Sequence, residues 1–360
     1  MVKCIMNIDL KNTIEDKERK NNNPEEWIFG KTFTPHMFQM LYKHGEGWTQ
    51  AEIKSFDNLT LLPKKVVFHY GPAIFDGLKA YYRANGEIGF FRVKDYLNRI
   101  NISAQRMGMP EIDIELCLHH LRELVKHEKA WIKNDEFGAL YIRPIMLTVN
   151  PVAYLEPSSD YLFYIVLSPV NIKEVNNFYP IKLLVKEKNS TDSCKEVGVM
   201  NKLNDHALSL LSIFEAIKKG FDQILWLAGP ENSYIEESSS MNIFFRYKEA
   251  LVTPVLDDSI CNGITRNSII EIARHWKMNV VEDKLSIKQI IKDIKAGDII
   301  EAFGSASLVT VLPIGHLHYK DEDICINDNR PGELSSKLFG FLTDIQHGRE
   351  QDAFQWIDIV

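Results

Sequence analysis

The sequence turns through Gly198-Val199-Met200-Asn201-Lys202-Leu203 near the middle of the chain. Before this turn, the apolar strand pattern Ile181 to Val185 gives way to a polar stretch from Lys186 to Glu196. After it, apolar residues recur at helical spacing as far as Gly220, a residue type typical of a helix C-terminus, and a short apolar strand follows at Gln223 to Leu227. The helical stripe consists of Ala207, Leu210, Leu211, Phe214 and Ile217. Strand, turn, helix and strand together predict a mixed α/β fold. By its position in this pattern alone, Lys202 is typical of a solvated surface lysine.

Length and composition limit the class of protein. The chain has 360 residues, of which 45% are hydrophobic, so it is long enough for two domains. Its formal net charge of -7 argues against nucleic acid or an anionic membrane as partner, because both require basic patches. The five cysteines lie far apart without CxxC spacing, which favours a reducing cytoplasm over a disulfide framework. We find no signal-peptide pattern, and the apolar runs are far shorter than the ~20 residues that span a bilayer.

Residues 1 to 167 predict a small α+β domain. Within this range, the first 30 residues or so predict a partly ordered arm. An Asn-Gly turn at Ala84 to Gly86 joins two strand patterns and predicts a hairpin. The strand patterns are Val66 to His69, Leu78 to Tyr82, Ile88 to Phe91, Leu140 to Val149 and Tyr161 to Leu167, and the helical patterns are Asp95 to Met107 and Ile114 to Trp131. Residues 168 to 180 contain two prolines and three asparagines without periodicity, and they predict an interdomain linker.

Residues 181 to 360 predict a larger domain that carries the cofactor chemistry. Besides the strands that flank the mid-chain lysine, strand patterns lie at Met241 to Arg246, Ala250 to Thr253, Asn279 to Glu282 and Ile299 to Phe303. Besides the helix that ends at Gly220, helical patterns lie at Asn267 to Trp276, Ile287 to Ile294 and Gly332 to Ile345.

Three polar segments of this second half suit a phosphate-bearing cofactor. Asn262-Gly263-Ile264-Thr265-Arg266 places a glycine before a helix, where free backbone N–H groups can bind an anion. Phe303-Gly304-Ser305-Ala306-Ser307 places small hydroxyl residues after a strand. Glu236 and Glu237 precede an apolar strand, where a carboxylate can pair with a cationic ring nitrogen; for Glu236 we expect only a solvated turn. Each segment taken alone is equally typical of a plain turn.

Together with the lysine, these segments indicate pyridoxal phosphate. The lysine would form the Schiff base, a carboxylate would keep the pyridine nitrogen protonated, and N–H-rich turns with an arginine would hold the phosphate. On these residues the sequence resembles the branched-chain amino acid aminotransferases, within the fold-type IV pyridoxal-phosphate enzymes. The resemblance covers most of the chain, through Phe29 to Met37, Phe68 to Tyr70, Phe75 to Ala80, Leu140 to Pro144, Ile224 to Leu227, Met241 to Phe244, Phe303 to Ser305 and Leu342 to Gly348.

This resemblance implies a fold, an assembly and a reaction. The implied fold has a small α+β N-terminal domain and a larger, β-barrel-like C-terminal domain. The implied protein is a cytoplasmic homodimer that acts on amino acids and 2-oxo acids. It would transfer the amino group of leucine, isoleucine or valine to 2-oxoglutarate.

The resemblance also implies individual residue roles. Lys202 is implied as the Schiff-base lysine and Glu237 as the partner of the pyridine nitrogen. For the cofactor phosphate the implied residues are Arg99, the amides of Ile264 and Thr265, and Ser307. For the substrate they are Tyr70, Ser240 and Ala306 near the α-carboxylate, Phe75 and Tyr141 with Tyr70 around the side chain, and Arg143 at the distal carboxylate of glutamate.

The segment after Lys202 departs from the family pattern. Family members continue into Gly-Gly-Asn-Tyr, whose tyrosine hydrogen-bonds the phenolic oxygen of the cofactor, whereas here Leu203-Asn204-Asp205-His206 follows. The shorter spacing to the next helix is closer to D-amino acid aminotransferases and aminodeoxychorismate lyases. Those activities, and a non-catalytic paralogue that keeps the fold, are therefore the alternatives.

The sequence lacks two motifs: the redox CxxC of some relatives and a set of metal ligands around its paired histidines. The redox CxxC of mammalian relatives is absent from residues 308 to 313. His316-Leu317-His318 and His119-His120 lack further ligands at metal spacing, so the sequence predicts no metal site.

Overall fold

The computed structural model describes residues 23–360 except 134, 136, 152–153, 155–158, 173–175, 188–202, 229–232 and 258, and it describes no side chains for residues 203–208. Contacts between Cα atoms divide the chain into two compact units. Among the described residues, those in the ranges 1–174, 200–204 and 345–360 form unit 1, and those in the ranges 175–199 and 205–344 form unit 2. None of the described helices is long and apolar enough to cross a membrane.

The helices of the described chain are numbered in sequence order. They are α1 (Val67–Tyr70), α2 (Val93–Arg106), α3 (Ile114–His127), α4 (Leu203–Lys218), α5 (Ile264–His275), α6 (Ile287–Ala296) and α7 (Glu333–His347). The Asp113 side chain caps α3 by accepting a hydrogen bond from the Leu116 N–H, because aspartate before the first turn satisfies an N–H that has no helical partner.

Unit 1 is built on an antiparallel sheet of eight strands. The strands are β1 (His36–Lys43), β2 (Gly47–Ser55), β3 (Ala73–Phe75), β4 (Leu78–Tyr82), β5 (Ile88–Phe91), β6 (Gly138–Thr148), β7 (Asp160–Asn171) and β18 (Ile357–Ile359). Their order is β18-β5-β4-β6-β7-β1-β2, with β3 also paired to β6. The C-terminal residues belong to this unit because β18 pairs with β5.

Unit 2 is built on a mixed sheet of ten strands. The strands are β8 (Ile181–Glu187), β9 (Gln223–Ala228), β10 (Tyr234–Ser238), β11 (Asn242–Tyr247), β12 (Leu251–Pro254), β13 (Val280–Asp283), β14 (Leu285–Ser286), β15 (Ile299–Ala306), β16 (Thr310–Tyr319) and β17 (Glu322–Cys325). Their order is β13-β12-β11-β15-β16-β8-β9-β10-β14, with β17 paired to β16. The apolar side chains of α6 at Ile287, Ile290, Ile291 and Ile294 belong to its core.

A buried carboxylate holds the start of α7 in unit 2. Glu301 on β15 is buried, and its oxygens accept hydrogen bonds from the N–H groups of Leu334 and Ser335 at 2.9 and 3.0 Å. Negative charge is favourable at a helix N-terminus, where the first N–H groups have no helical acceptor. A Cβ at Gly332 would lie 1.7 Å from a Glu301 oxygen, so the close approach requires glycine there.

The mixed fold and most of the predicted elements are confirmed. The Asn-Gly hairpin forms between β4 and β5, and Gly86 has the positive φ of 84° that its turn requires. The strand predicted at Val66 to His69 is wrong, because that segment forms the short helix α1. Gly71 ends α1 in a left-handed conformation and donates to the Val67 carbonyl, so the local backbone closes a helical turn despite two β-branched valines.

Several elements were not predicted. Strands β1 and β16 lack simple alternation between apolar and polar residues, β2 alternates only from Ala51 to Lys54, and β18 is only three residues long. Strand β10 lies where the sequence indicates a turn. Helix α5 begins at Ile264, three residues before the predicted start. The apolar stripe of α4 was found at helical spacing, but in unit 2 Leu211, Phe214 and Ile217 of that stripe are exposed.

A buried lysine in unit 1 lowers the free energy of unfolding by an amount that depends on pH. Lys79 on β4 is 3% exposed, its Nζ lies 5.4 Å from the centre of the Tyr81 ring, and burial lowers its pKa to about 7. His347 packs its ring edge-on against the same tyrosine, donates from Nδ1 to the Tyr82 carbonyl, and has its pKa lowered by burial to about 4. Both groups are therefore more easily deprotonated in the fold than in the unfolded chain.

We expect Lys79→Met to stabilise the protein at pH 7, by about 4 kcal/mol. The folded pKa of Lys79 lies below its unfolded value, so the unfolded chain binds more protons between about pH 7 and 10, and wild-type stability rises with pH over that window. The gain from the substitution therefore shrinks towards pH 10. Denaturant unfolding at both pH values measures it, with the exposed Lys64→Met as the matched control. A gain that is independent of pH, or equal in the control, would contradict this account.

Candidate active site

A cavity of about 570 Å³ lies in unit 1 and contains two of the predicted site residues. One wall is a face of the β6–β7 pair, where the cross-strand partners Tyr141 with Ser168, Arg143 with Val166, and Ile145 with Tyr164 all line the cavity. Alternate residues of a strand point to the same face, so this wall follows directly from the register. The remaining lining residues are Phe29, Gly30, Phe33, Met37, Phe56, Asp57, Asn58 and Leu59.

Aromatic rings hold the arginine of this cavity. The Arg143 guanidinium lies 4.7 Å from the centre of the Phe75 ring and 5.1 Å from that of Tyr141. The Tyr141 ring in turn meets Phe29 edge-on, with centres 5.0 Å apart. Cation–π contacts fix the guanidinium without neutralising its charge. Arg143 is the cationic residue among those that line the cavity, whose wall is otherwise mainly aromatic and aliphatic.

Burial raises the pKa of the Tyr141 phenol, which lines the cavity. The Tyr141 side chain is buried on β6, and the Arg143 charge acts on this pKa in the opposite direction. The hydroxyl therefore stays protonated across the physiological range and can act as a hydrogen-bond donor.

Arg99, the predicted phosphate residue, is paired with a buried aspartate. Its Nε and terminal nitrogen donate to the two carboxylate oxygens of Asp76 at 2.8 and 2.6 Å. Asp76 is 2% exposed and also accepts from the Gly77 N–H at 2.6 Å. A bidentate pair fixes the plane of the guanidinium as well as its position. Arg99 also lies over the Tyr96 ring, so two contacts determine where it points.

Gly77 lets the Tyr141 hydroxyl approach this aspartate turn. A Cβ at Gly77 would lie 1.8 Å from the Tyr141 oxygen and 2.6 Å from its Cζ. The buried Tyr141 ring cannot relieve so close a contact by a small shift. The residues Asp76 and Gly77 therefore position both Arg99 and Tyr141. Tyr70, by contrast, ends α1 with 47% of its side chain exposed and is not among the residues that line the cavity.

In unit 2, the predicted cofactor carboxylate lies beside the turn that precedes α5. The Glu237 side chain, on β10, accepts a hydrogen bond from the Cys261 N–H at 3.0 Å. Two residues further on, Gly263 is the N-cap of α5 and makes no side-chain cap, and the first helical residues Ile264 and Thr265 are buried. The carboxylate and the first amides of α5 therefore lie on either side of the same turn in unit 2.

Asn242 closes that turn from the neighbouring strand. Its Nδ2 donates to the Cys261 carbonyl at 2.8 Å, and a Cβ at Gly263 would lie 2.1 Å from its Oδ1. Glycine is thus required at the N-cap of α5 by the close approach of Asn242. Across the sheet, Asn242 pairs with Ser305 on β15, which brings the end of that strand to the same place.

The predicted hydroxyl segment lies at the end of β15. Ser305 is buried, and within the part of the chain that the structure describes its hydroxyl has no hydrogen-bond partner. Ala306 follows as a half-buried residue at the strand end, with Ser307 half-buried beyond it. A buried hydroxyl without a partner costs free energy unless a ligand or water completes it, so this strand end suits an oxygen-rich ligand.

The serines after Glu237 pack on β9. The hydroxyls of Ser238 and Ser240 both donate to the Gln223 side-chain oxygen, at 2.9 and 3.0 Å, although Ser240 itself is exposed. The expectation of a solvated turn at Glu236 is wrong. That carboxylate is 6% exposed on β10 and accepts a hydrogen bond from the Ser259 hydroxyl.

Lys202 and its turn lie outside the described residues, and so does the side chain of His206. The sequence missed Asp76, Gly77, Asn242 and Cys261 as parts of the site. Asp76 and Gly77 lie in the segment Phe75 to Ala80, which resembles the family, but their contacts join residues up to 64 positions apart, which spacing does not reveal. The glycine in a buried run before β4 was the available signal.

The sequence of this chain matches a known protein family. Residues 73–317 match the family model described as amino-transferase class IV. The chain is 38% identical to branched-chain-amino-acid aminotransferase 2 of Bacillus subtilis, over 99% of this chain and 97% of that protein. It is 37% identical to branched-chain-amino-acid transaminase 1 of the same organism, over 97% and 98%.

The fold is also that of a solved structure. The PLP-form, or holo-form, of the branched-chain amino acid aminotransferase from Thermobaculum terrenum superposes with a TM-score of 0.72. The match covers 89% of this chain and 97% of that chain at 22% identity, which shows the fold.

The close approach at Gly77 yields a test of the cavity. We expect Gly77→Ala to destabilise the protein by ~2 kcal/mol, because the added methyl overpacks the Tyr141 hydroxyl. Removal of that oxygen in Gly77→Ala/Tyr141→Phe should recover part of the loss, since the nearest clash is with the hydroxyl. Denaturant unfolding of both single variants and the double variant measures the coupling. Strictly additive losses would show that Gly77 does not position Tyr141.

Proposed function

The chain belongs to the class IV amino-transferases, and we propose that it is a branched-chain amino acid transaminase. It would transfer the amino group of leucine, isoleucine or valine to 2-oxoglutarate, with pyridoxal phosphate as cofactor. Near full-length relatives at 37–38% identity carry this name, which supports the same reaction here.

The observation that carries the substrate assignment is the aromatic cavity with an arginine on its wall. Phe29, Phe33, Tyr164 and Val166 offer an apolar surface for a branched aliphatic side chain. Arg143, held over Phe75 and Tyr141, offers a charge-assisted bond to the distal carboxylate of glutamate or 2-oxoglutarate. One cavity can therefore accept both partners of the reaction in turn.

The residues of unit 2 suit pyridoxal phosphate. The uncapped N-terminus of α5 supplies the amides of Ile264 and Thr265 for a phosphate, and the hydroxyls of Ser305 and Ser307 are suitable additional donors. Glu237 is the carboxylate for the pyridine nitrogen, and the Cys261 amide keeps it oriented. On the family resemblance, Arg99 is proposed for the phosphate, and Asp76 fixes its guanidinium.

The chemistry divides between cofactor and protein. When bound, pyridoxal phosphate supplies the electron sink that makes the substrate Cα–H acidic. Lys202 is proposed as the lysine that binds the cofactor covalently and then carries the proton away from the substrate Cα as general base. Glu237 holds a proton on the ring nitrogen by charge-assisted hydrogen bonding. Tyr70, Ser240 and Ala306 are proposed for the substrate α-carboxylate, on the family resemblance.

Assembly and setting are part of the same proposal. The family resemblance supports a homodimer, and the widely spaced cysteines support a reducing cytoplasm. Analytical ultracentrifugation of the cofactor-loaded protein tests the assembly.

An amino-donor panel tests the function. The cofactor-loaded protein is offered L-leucine, L-isoleucine, L-valine or D-alanine with 2-oxoglutarate, and the glutamate formed is measured. We expect turnover of all three branched-chain donors and little of D-alanine. Absence of branched-chain turnover would overturn the proposal. A preference for D-alanine would favour the alternative suggested by the shorter spacing after Lys202.

Replacement of Arg143 by methionine should separate the two half-reactions. The variant loses the charge but keeps an apolar stem, so we expect kcat/KM for 2-oxoglutarate to fall by about 10–100-fold, the loss of one charge-assisted interaction. Single-turnover measurements with leucine on the same variant provide the control and should change far less. An equal loss in both half-reactions would indicate that Arg143 only supports the cavity wall.

A further inference from the structure

We propose that unit 1 contains a binding site for a divalent transition-metal cation of the zinc type, formed by His36, His127 and Glu128. These residues bring together two imidazoles and a carboxylate, and one ligand atom from each lies within 4.8 Å of the others. His36 is the first residue of β1, His127 is the last residue of α3, and Glu128 follows it directly. The sequence did not predict the site because its halves lie about 90 residues apart.

The site lies on the face of the sheet opposite the substrate cavity. Met37 lines that cavity, so its neighbours His36 and Phe38 point to the other face of β1. Helix α3 covers this other face, since the His120 ring stacks on Phe38 with centres 4.9 Å apart. The proposed metal site is therefore separate from the residues assigned to transamination.

The two most buried ligands already form a close pair. The His36 Nδ1 and a Glu128 oxygen are 2.5 Å apart, with the side chains 16% and 3% exposed. The His127 ring meets the His36 ring edge-on, with centres 4.4 Å apart and an interplanar angle of 85°. A buried carboxylate needs a hydrogen-bonding or cationic partner, and the His36 imidazole is that partner here. A cation that binds both atoms would take the place of this direct contact.

The ligand set and its surroundings suit zinc. Two histidines and one glutamate are a known set for zinc sites that keep open positions, with bonds of about 2.0–2.2 Å. Two ligands on one ion at that bond length lie about 3.3–3.5 Å apart, so His36 and Glu128 must separate by roughly 1 Å. His127 is exposed and can rotate towards them, which leaves water in the remaining positions. The C-terminal carbonyls of α3 further favour a cation there.

The expected consequence of binding is a link between distant parts of unit 1. The metal would join the start of β1 to the end of α3 and so close a long segment of chain. We therefore expect Zn²⁺ to raise the melting temperature of the protein without changing its transaminase activity.

The test is Zn²⁺ binding by metal-stripped, cofactor-loaded protein in competition with a fluorescent indicator. We expect the wild type to bind one more equivalent than His127→Ala, whose Kd for that equivalent should be at least ~100-fold weaker. His127 is exposed, so His127→Ala should fold normally. Glu128 is buried, so Glu128→Gln could fail to fold and is a less suitable variant. Co²⁺ absorption of the same proteins reports whether imidazole ligands are lost.

His318→Ala is the matched control. His318 Nδ1 lies 2.6 Å from an Asp323 oxygen, but no third ligand accompanies this pair among the described residues. The control should bind Zn²⁺ as the wild type does and show the same rise in melting temperature. Equal binding by wild type and His127→Ala, equal weakening by His318→Ala, or no binding by the wild type would each overturn the proposal. Each of these outcomes would leave His36 and Glu128 as a hydrogen-bonded pair only.

Discussion

Hydrogen bonding on both edges of β6 is the constraint on which the candidate substrate site depends. β6 pairs with β7 over eleven positions, from Gly138 to Thr148, and its other edge pairs with β4 and β3. A shift of one residue would turn Tyr141 and Arg143 to the opposite face, so the register fixes which side chains reach the cavity. The neighbouring Asp76-Gly77 turn then locks the Tyr141 hydroxyl and the Arg99 guanidinium by close contact.

Unit 2 positions its polar groups by a different means. There a turn of irregular backbone, residues 261 to 263, is fixed by side chains from two strands: Glu237 accepts from its amide and Asn242 donates to its carbonyl. The result is a helix N-terminus with buried first residues and no side-chain cap. Because no capping side chain occupies the first N–H groups of α5, these groups can donate hydrogen bonds to a phosphate.

Much of the fold followed from local pattern. The helices α2, α3 and α6 and the β4–β5 hairpin were predicted because periodicity and turn residues act over short distances. α1 was missed because one left-handed glycine overrode two valines, and Glu236 was mistaken for a solvated residue because its partner Ser259 lies 23 positions away. The same limit applies to Asp76 with Arg99 and to His36 with Glu128. Contacts of this kind depend on the sheet register, which a single sequence does not reveal.

We propose that this chain carries its cofactor on Lys202, although the segment after that lysine lacks the tyrosine of related enzymes. Borohydride reduction of the cofactor-loaded protein, followed by mass spectrometry of its peptides, tests this most directly. We expect a phosphopyridoxyl group on the peptide that contains Lys202 and on no other. Labelling of another lysine, such as the buried Lys79, or no labelling of any peptide, would contradict it.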